Sequence, residues 1–293
     1  MNRLNNFNIG FIGMGLMGRP MTLNLHQAGA RLTIFNRTND VARALECPAI
    51  MPVGSPAGVA RSSDIIVLMV SDTAAVEQVL FGNNGVIEGL KKNTLVIDMG
   101  TTAVVPTRDF SKRLQHANAD YIDAPVSGGE IGAINGNLTI MAGGTPAAIE
   151  RAQPLFNVLG TSFTHVGSIG AGQVAKAANQ IIVGLNIGAV AEALALVKSA
   201  GVDPVKVREA LMGGFAASRI LEVHGQRMID NDFTPGAKIT TQYKDIQQAV
   251  ELAAIYNQQL PATRLNMSLY KSLIDSGDGN LDHSALIKLL ESE

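Results

Sequence analysis

The pattern of hydrophobic and polar positions changes about halfway along the chain. In the first part, short apolar runs alternate with amphipathic stretches, which is typical of β-α-β units around a parallel sheet. Beyond Gly172 the strand pattern fades, and long segments with the apolar period of a helix take over. The pattern therefore predicts an α/β chain, with a doubly wound sheet over residues 1–167 followed by an all-helical domain over residues 168–293.

The same pattern predicts the individual elements. The first strand opens at Asn8, and the others are predicted over Arg31–Phe35, Asp64–Val70, Thr94–Met99, Tyr121–Ala124, Leu138–Ala142 and Ser162–Val166. Amphipathic stretches in the first domain include Ala74–Leu80 and Thr107–Ala117. Helices of the second domain are predicted over Gln173–Ala200, Pro204–Met212, Ser218–Asp230, Gln242–Gln258, Ala262–Ser276 and Ser284–Leu290.

Composition limits the classes of partner. The 293 residues carry a formal net charge of −2, which gives no electrostatic reason to expect nucleic acid or an anionic membrane surface. Cys47 is the one cysteine, so no internal disulfide forms, and the five histidines are too scattered to predict a metal site. Residues 1–7 lack the pattern of a secretory signal. These features predict a cytoplasmic protein that acts on small molecules.

A Gly-x-Gly-x-x-Gly turn lies between the first strand and the first helix. Such glycines permit a sharp turn and let the backbone approach a dinucleotide pyrophosphate, which the N–H groups at the helix start hold. FAD and S-adenosylmethionine proteins use similar turns, so a methyltransferase is an alternative. The flanking strand and helix favour a Rossmann-type domain with a nicotinamide cofactor. Its predicted binding residues here are Gly13, Met14, Gly15, Leu16, Met17 and Gly18.

The end of the second strand is expected to select the cofactor. An acid about 20 residues past the glycines would hold the ribose hydroxyls of NAD. This chain instead has Asn36, Arg37 and Thr38, which offer hydrogen bonds and a planar cation suited to a 2′-phosphate. NADPH is therefore favoured, and NADH remains possible. The alternative is that these residues form a polar turn in which Thr38 or Asn39 caps the next helix.

The long helix of the second domain contains a lysine in apolar surroundings. The stretch Ala177–Val197 includes Asn179 and Glu192, so a buried helix is favoured over a membrane span. Just before it, Lys176 requires a cleft, a counter-charge or a function, because burying an unpaired ammonium is costly. Alternatively, its stem covers apolar surface while its amine reaches water. Asn179 lies three residues further on, on the same face.

Two other segments contain residues that could bind a substrate or the cofactor. The run Asp123–Gly129 follows a predicted strand end, where Ser127 and the backbone N–H groups of two glycines could bind a carboxylate or oxyanion. The alternative is an ordinary glycine-rich turn. On a later helix, Lys244 and Asp245 could form a surface ion pair of little consequence or could reach back over the cofactor.

Taken together, these motifs resemble the β-hydroxyacid dehydrogenase family, in the same order over nearly the whole chain. The resemblance rests on the glycine turn with Met14 and Met17, the run Asp123–Gly129, the series Gly167, Gly170, Gly172, Lys176 and Asn179, and the pair Lys244-Asp245. Two departures are visible. Asn36 stands where NAD-using relatives have Asp, and Thr101 and Thr102 replace a pair of serines.

The resemblance implies roles for particular residues. Lys176 would be the catalytic acid/base, Ser127, Gly128 and Gly129 would bind the substrate, and Asn179 would orient it. Thr101 and Lys244 would contact the cofactor. The implied substrate is a small semialdehyde or its hydroxyacid, with tartronate semialdehyde first and 3-hydroxyisobutyrate, glyoxylate and succinate semialdehyde as alternatives. A catalytically silent dinucleotide-binding module is an alternative of another class.

The apolar helix also predicts self-association. A helical domain of about 120 residues cannot easily cover so long an apolar helix by itself. A homodimer or homotetramer is therefore expected.

Overall fold

The structure, a computed structural model, describes residues 4–291 and contains two compact units. Unit 1 comprises residues 1–176 and unit 2 comprises residues 177–293. The domain boundary predicted after residue 167 falls before this division and stays a prediction. The predicted domains and the N-terminal segment 1–7 include residues 1–3 or 292–293, which lie outside the described residues.

Unit 1 is built on one nine-stranded sheet. Its strands are β1 (Asn8–Ile12), β2 (Arg31–Phe35), β3 (Ile50–Pro52), β4 (Ile65–Leu68), β5 (Leu95–Asp98), β6 (Asp120–Asp123), β7 (Val126–Ser127), β8 (Leu138–Gly143) and β9 (Gly160–Gly167). The strand order is β3-β2-β1-β4-β5-β6-β8-β7, with β9 beside β8. The strands β1 to β6 pair in parallel, in the 3-2-1-4-5-6 order of a doubly wound sheet. The predicted fold class is confirmed.

The sheet differs from the prediction at one edge. Beyond β6 the chain turns at Gly128 and Gly129, which have φ angles of 133° and 61°, and β8 returns antiparallel to β6 and β7. Only parallel pairing was expected. The strands β3 and β7 were not predicted, because runs of two or three residues carry no measurable period.

Helices cover both faces of the sheet. They are α1 (Gly18–Gln27), α2 (Asn39–Arg43), α3 (Pro56–Ser62), α4 (Thr73–Phe81), α5 (Val104–His116), α6 (Gly129–Asn135) and α7 (Pro146–Leu159), with a 3₁₀ turn at Val86–Glu88. Along β4, Ile65 and Val67 belong to one apolar cluster, and Ile66 and Leu68 belong to another. Burial on both faces explains why this strand is a continuous apolar run.

Unit 2 is helical. The helix α8 (Ala171–Ser199) begins in unit 1 and continues into unit 2, which adds α9 (Pro204–Met212), α10 (Arg219–Asp230), α11 (Ile239–Ile255), α12 (Pro261–Asp275) and a 3₁₀ helix at His283–Leu289. The last element was predicted as an α-helix. Asp282 is its N-cap and accepts the N–H of Ser284.

The helix α8 is long and apolar enough to cross a membrane by length and composition. A core helix of a globular protein has the same properties. Ile187 and Leu194 of α8 are buried in the apolar core of unit 2, and the polar Gln180 is buried beside them on the same helix. These contacts favour the interpretation of a core helix.

Candidate active site

The glycine turn lies at the carboxyl end of β1. Gly13 has a φ of 102°, and a Cβ there would lie 2.2 Å from the carbonyl oxygen of Met69. A Cβ at Gly18, the first residue of α1, would lie 1.8 Å from the carbonyl oxygen of Gly13. Both positions therefore require glycine. A Cβ at Gly15 would meet none of the described atoms within 4 Å, so this side of the turn is open to a ligand.

The position of this turn in the sheet suits an anion. The strand β1 lies between β2 and β4, where the strand order reverses and doubly wound sheets bind ligands at their carboxyl ends. The first turn of α1 contains no acidic residue, so the positive end of the helix dipole is not neutralised. Leu16 is exposed and Met17 is half-buried at the same place.

Asn36 connects the glycine turn to the end of β2. Its Oδ1 accepts the N–H of Met14 at 2.9 Å, and its Nδ2 donates to the carbonyl oxygen of Thr38 at 2.9 Å. Both groups of the amide are thus engaged inside the protein. Arg37 and Thr38 are exposed, and although Thr38 is the N-cap of α2, its side chain makes no capping bond. All three residues lie at the end of β2, and their contact with the cofactor stays a prediction.

Two buried carboxylates end the neighbouring strands β5 and β6. Asp98 accepts hydrogen bonds from the hydroxyl of Thr102 at 2.6 Å, the hydroxyl of Tyr121 at 3.1 Å and the N–H of Gly100 at 3.0 Å. Burial raises the pKa of Tyr121 well above its usual value, and Asp98 and Asp123 raise it further. The loop that contains the half-buried Thr101 is therefore held by Asp98.

Asp123, the register partner of Asp98, contacts the start of α8. Its Oδ1 accepts the N–H of Gly170 at 2.7 Å, and its Oδ2 accepts the N–H of Gln173 at 2.9 Å. Burial raises the pKa of Asp123 to about 7, against the lowering effect of these two hydrogen bonds. The sequence includes Asp123 in a motif but predicts no role for it.

Lys176 lies on α8 one turn after these contacts. Its side chain is buried, with 8% of the residue exposed, and its Nζ donates to the carbonyl oxygen of Val126 at 2.9 Å. The predicted catalytic amine thus lies against the residue that precedes Ser127. The alternative interpretation, in which the amine of Lys176 extends into bulk water, does not match the burial of this residue.

The predicted substrate-binding residues come directly after Val126 in the chain. Ser127 is half-buried and ends β7, whereas Gly128 and Gly129 are exposed. Their left-handed backbone conformations place the turn at the end of the strand. The structure therefore brings Lys176 and the segment 126–129 together within unit 1.

A buried polar network surrounds the other predicted residues, all in unit 2. Asn179 donates to Oε1 of Gln180 at 2.7 Å, and Nε2 of Gln180 donates to Oδ2 of Asp245 at 2.6 Å. Nζ of Lys244 lies 3.0 Å from Oδ1 of Asp245, which is 4% exposed. The Lys244-Asp245 pair is therefore not a surface pair. The sequence gave no role to Gln180 or to its second partner Gln242.

The structure also brings together two histidines that are remote in sequence. The Nε2 atoms of His224 and His283 lie 3.3 Å apart, and ligand atoms of these two residues and Asp282 lie within 4.8 Å of one another. Such a group could hold a metal ion. However, Asp282 already accepts four hydrogen bonds and lies 3.5 Å from the guanidinium of Arg227. We therefore interpret the cluster as a structural anchor of unit 2.

Two family models match the chain in succession. The NAD-binding domain of 6-phosphogluconate dehydrogenase matches residues 8–167. The NAD-binding region of NADP-dependent 3-hydroxyisobutyrate dehydrogenase matches residues 170–290.

Individual relatives agree with these matches. The 2-hydroxy-3-oxopropionate reductase of Escherichia coli is 48% identical over 283 residues, which cover 97% of each chain. The 2-(hydroxymethyl)glutarate dehydrogenase of Eubacterium barkeri is 34% identical, over 97% of this chain and 94% of that one. The crystal structure of 3-hydroxyisobutyrate dehydrogenase from Salmonella typhimurium has a TM-score of 0.88 at 28% identity, over 97% of this chain and 100% of that one. The resemblance predicted from the motifs is confirmed: the chain belongs to the β-hydroxyacid dehydrogenase family of NAD(P)-dependent oxidoreductases.

Proposed function

We propose that the protein reduces tartronate semialdehyde (2-hydroxy-3-oxopropionate) to D-glycerate with NADPH, and that Lys176 is the general acid. The observation that carries the proposal is the buried Nζ of Lys176, 2.9 Å from the carbonyl oxygen of Val126 and next to Ser127. The choice of substrate draws support from the reductase of Escherichia coli, which is 48% identical. Two segments, Gly213–Leu221 and Leu281–Leu286, also resemble that type of reductase.

The cofactor would bind at the glycine turn. Three features fit a dinucleotide that carries a 2′-phosphate. They are the open space beside Gly15, the first turn of α1 with no acidic residue, and the exposed Arg37. When bound, the nicotinamide supplies a hydride to the aldehyde carbon. Thr101 and Lys244 are proposed to contact the cofactor, as the family resemblance implies.

The protein's own residues manage the proton and the substrate. As the carbonyl oxygen becomes an alkoxide, Lys176 donates its proton to that oxygen, and in the reverse direction it takes the proton back. Ser127 and the backbone N–H groups of Gly128 and Gly129 are proposed to bind the substrate carboxylate. Asn179 is proposed to orient the substrate, as in the family, and its amide is itself held by Gln180.

The cofactor preference can be tested at Arg37. Replacing Arg37 by Ala should lower kcat/KM for NADPH by about 10- to 100-fold, the usual worth of a hydrogen-bonded charge pair, and should leave that for NADH unchanged. Arg43→Ala, which removes an exposed arginine of α2, is the matched control and should alter neither value. A wild-type preference for NADH, or an equal loss with both cofactors, would remove this part of the proposal.

We also propose that the protein is a homodimer or homotetramer. The exposed residues of α8 in unit 2 include an apolar set that follows the helical period, at Ala178, Ile182, Ala189, Ala193 and Leu196, with Glu192 exposed beside them. A second copy of the chain would cover it. Sedimentation equilibrium should give a mass two or four times the 30.8 kDa of one chain, and a monomer at micromolar concentration would contradict this expectation.

A substrate panel tests the function itself. NADPH and NADH oxidation would be followed with tartronate semialdehyde, glyoxylate, succinate semialdehyde and the semialdehyde of 3-hydroxyisobutyrate. The highest kcat/KM is expected for tartronate semialdehyde with NADPH. A higher value for one of the other aldehydes would reassign the substrate, and no oxidation with any of them would favour a silent binding module.

A further inference from the structure

We propose that Asp123 is a positioning residue for Lys176: it fixes the first turn of α8 against the end of β6 and so sets where the amine lies. The inference rests on the proposed function, because it takes Lys176 as the acid. Asp123 itself is buried and acts through the helix, so it is not a catalytic residue.

One carboxylate makes two hydrogen bonds to the start of one helix. The Oδ1 and Oδ2 atoms of Asp123 accept the N–H groups of Gly170 and Gln173, at 2.7 and 2.9 Å. These groups lie at the beginning of α8, where main-chain donors lack partners within the helix and the dipole favours a negative charge. Only one helical turn separates Gln173 from Lys176.

The helix α8 approaches the end of β6 closely at Gly172. A Cβ at Gly172 would lie 2.4 Å from the carbonyl oxygen of Met141 on β8, 2.6 Å from the carbonyl oxygen of Asp123 and 2.9 Å from its Oδ2. No larger residue would fit unless the helix moved. The side chain of Gln173 adds a further clamp, since it donates to the carbonyl oxygen of Gly100 and accepts the N–H of Thr102.

One short segment contacts both the start of α8 and the amine of Lys176. The residues 123–126 supply the carboxylate that holds the helix start and the carbonyl oxygen of Val126 that accepts from Nζ of Lys176. A change at Asp123 therefore shifts the amine relative to Ser127 and leaves the glycine turn of the cofactor untouched. Displacements of about 1 Å at a reacting group can cost 10²-fold in rate.

The test compares Asp123→Asn, Gly172→Ala and Lys176→Ala, alone and combined with each other. An asparagine keeps the shape but turns an amide N–H₂ toward one of the two donors. Gly172→Ala displaces α8 in a second way. Alanine favours helix formation, so the helix itself should persist, but the added Cβ forces its start away from Asp123. Thr145→Ala, which removes the side-chain cap of α7 in the same unit, is the matched control.

Each of Asp123→Asn and Gly172→Ala should lower kcat by about 10- to 100-fold, with the Kd for NADPH within about twofold of wild type. In the Lys176→Ala background both should cost almost nothing more, because the group through which they act is gone. Thr145→Ala should leave kcat unchanged.

A full additional loss in the Lys176→Ala background would show a merely structural role and overturn the inference. The inference would also be overturned if Asp123→Asn and Gly172→Ala both kept kcat near the wild-type value while Lys176→Ala was impaired. If Lys176→Ala itself were nearly as active as wild type, the proposed function would fail, and the inference with it.

Discussion

Replacing Lys176 by alanine is expected to lower kcat for semialdehyde reduction by about 10²- to 10⁴-fold, the usual contribution of a general acid. The buried amine leaves no second basic group on this turn of α8 to take its place, as Gln173 and Asn179 are its neighbours one turn away. The Kd for NADPH, measured by fluorescence titration, should change little, because the glycine turn and Arg37 are untouched. The loss should therefore appear in kcat.

Lys198→Ala is the matched control for this variant. Lys198 lies on the same helix and pairs with Glu291 at the surface of unit 2. Its removal should change kcat by less than about twofold, as expected for an exposed ion pair. Turnover by Lys176→Ala within tenfold of wild type, with cofactor bound, would exclude the lysine as the acid.

Replacing Asp282 by asparagine is expected to cost about 3 kcal/mol of the free energy of unfolding, because a buried charge would be removed from its partners. Asp282 is fully buried, accepts the N–H groups of Gly236 and Ala237, and accepts both the N–H and the hydroxyl of Ser284. An asparagine would point an N–H₂ group at some of these donors. The melting temperature should fall by roughly 6 to 12 °C.

The same substitution should reduce the acid sensitivity of folding. Burial opposes ionisation of Asp282, but the neighbouring His224 and His283 and the hydrogen bonds from Ser284 hold its pKa well below the usual range. A carboxyl with a lowered pKa in the fold stabilises it above the ordinary pKa, and this contribution is lost as the pH falls below about 4. The gap between wild type and variant should therefore narrow in that range.

Calorimetry at pH 7 and urea unfolding at several acidic pH values would measure both effects. Asp275→Asn is the matched control, because Asp275 pairs with Lys271 at the surface of the same unit. It should change stability by less than about 0.5 kcal/mol. An equal effect of the two substitutions would contradict the role of Asp282 as an anchor.

Periodicity predicted the elements that are long or buried on both faces. The run over β4 is recognisable because burial on both faces imposes a continuous apolar pattern on it. The helix α8 is recognisable because apolar residues recur with the helical period along its whole length. In the structure, Asp203 and Ser218 cap the starts of α9 and α10 with their side chains. The parallel part of the sheet follows from these elements, since helices between strands require crossover connections.

The remaining features depend on contacts between remote positions. His224 and His283 are 59 residues apart, and nothing local in either segment signals that their rings meet. The antiparallel return of β8 depends on the direction of a glycine turn, which the spacing of the glycines does not define. The hydrogen bonds by which Asn36 joins the glycine turn to the end of β2, at Met14 and Thr38, also escape prediction. Each case is decided by tertiary hydrogen bonding rather than by a period in the chain.

In the proposed reaction, Lys176 protonates the alkoxide formed when a hydride passes from NADPH to tartronate semialdehyde. A single-turnover experiment with NADPH that carries deuterium at the transferred position tests it most directly. Wild type should yield D-glycerate with one deuterium on the new hydroxymethyl carbon, and Lys176→Ala saturated with the same cofactor should form it about 10²- to 10⁴-fold more slowly. Transfer of the label at the wild-type rate by Lys176→Ala, or none by wild type, would contradict the account.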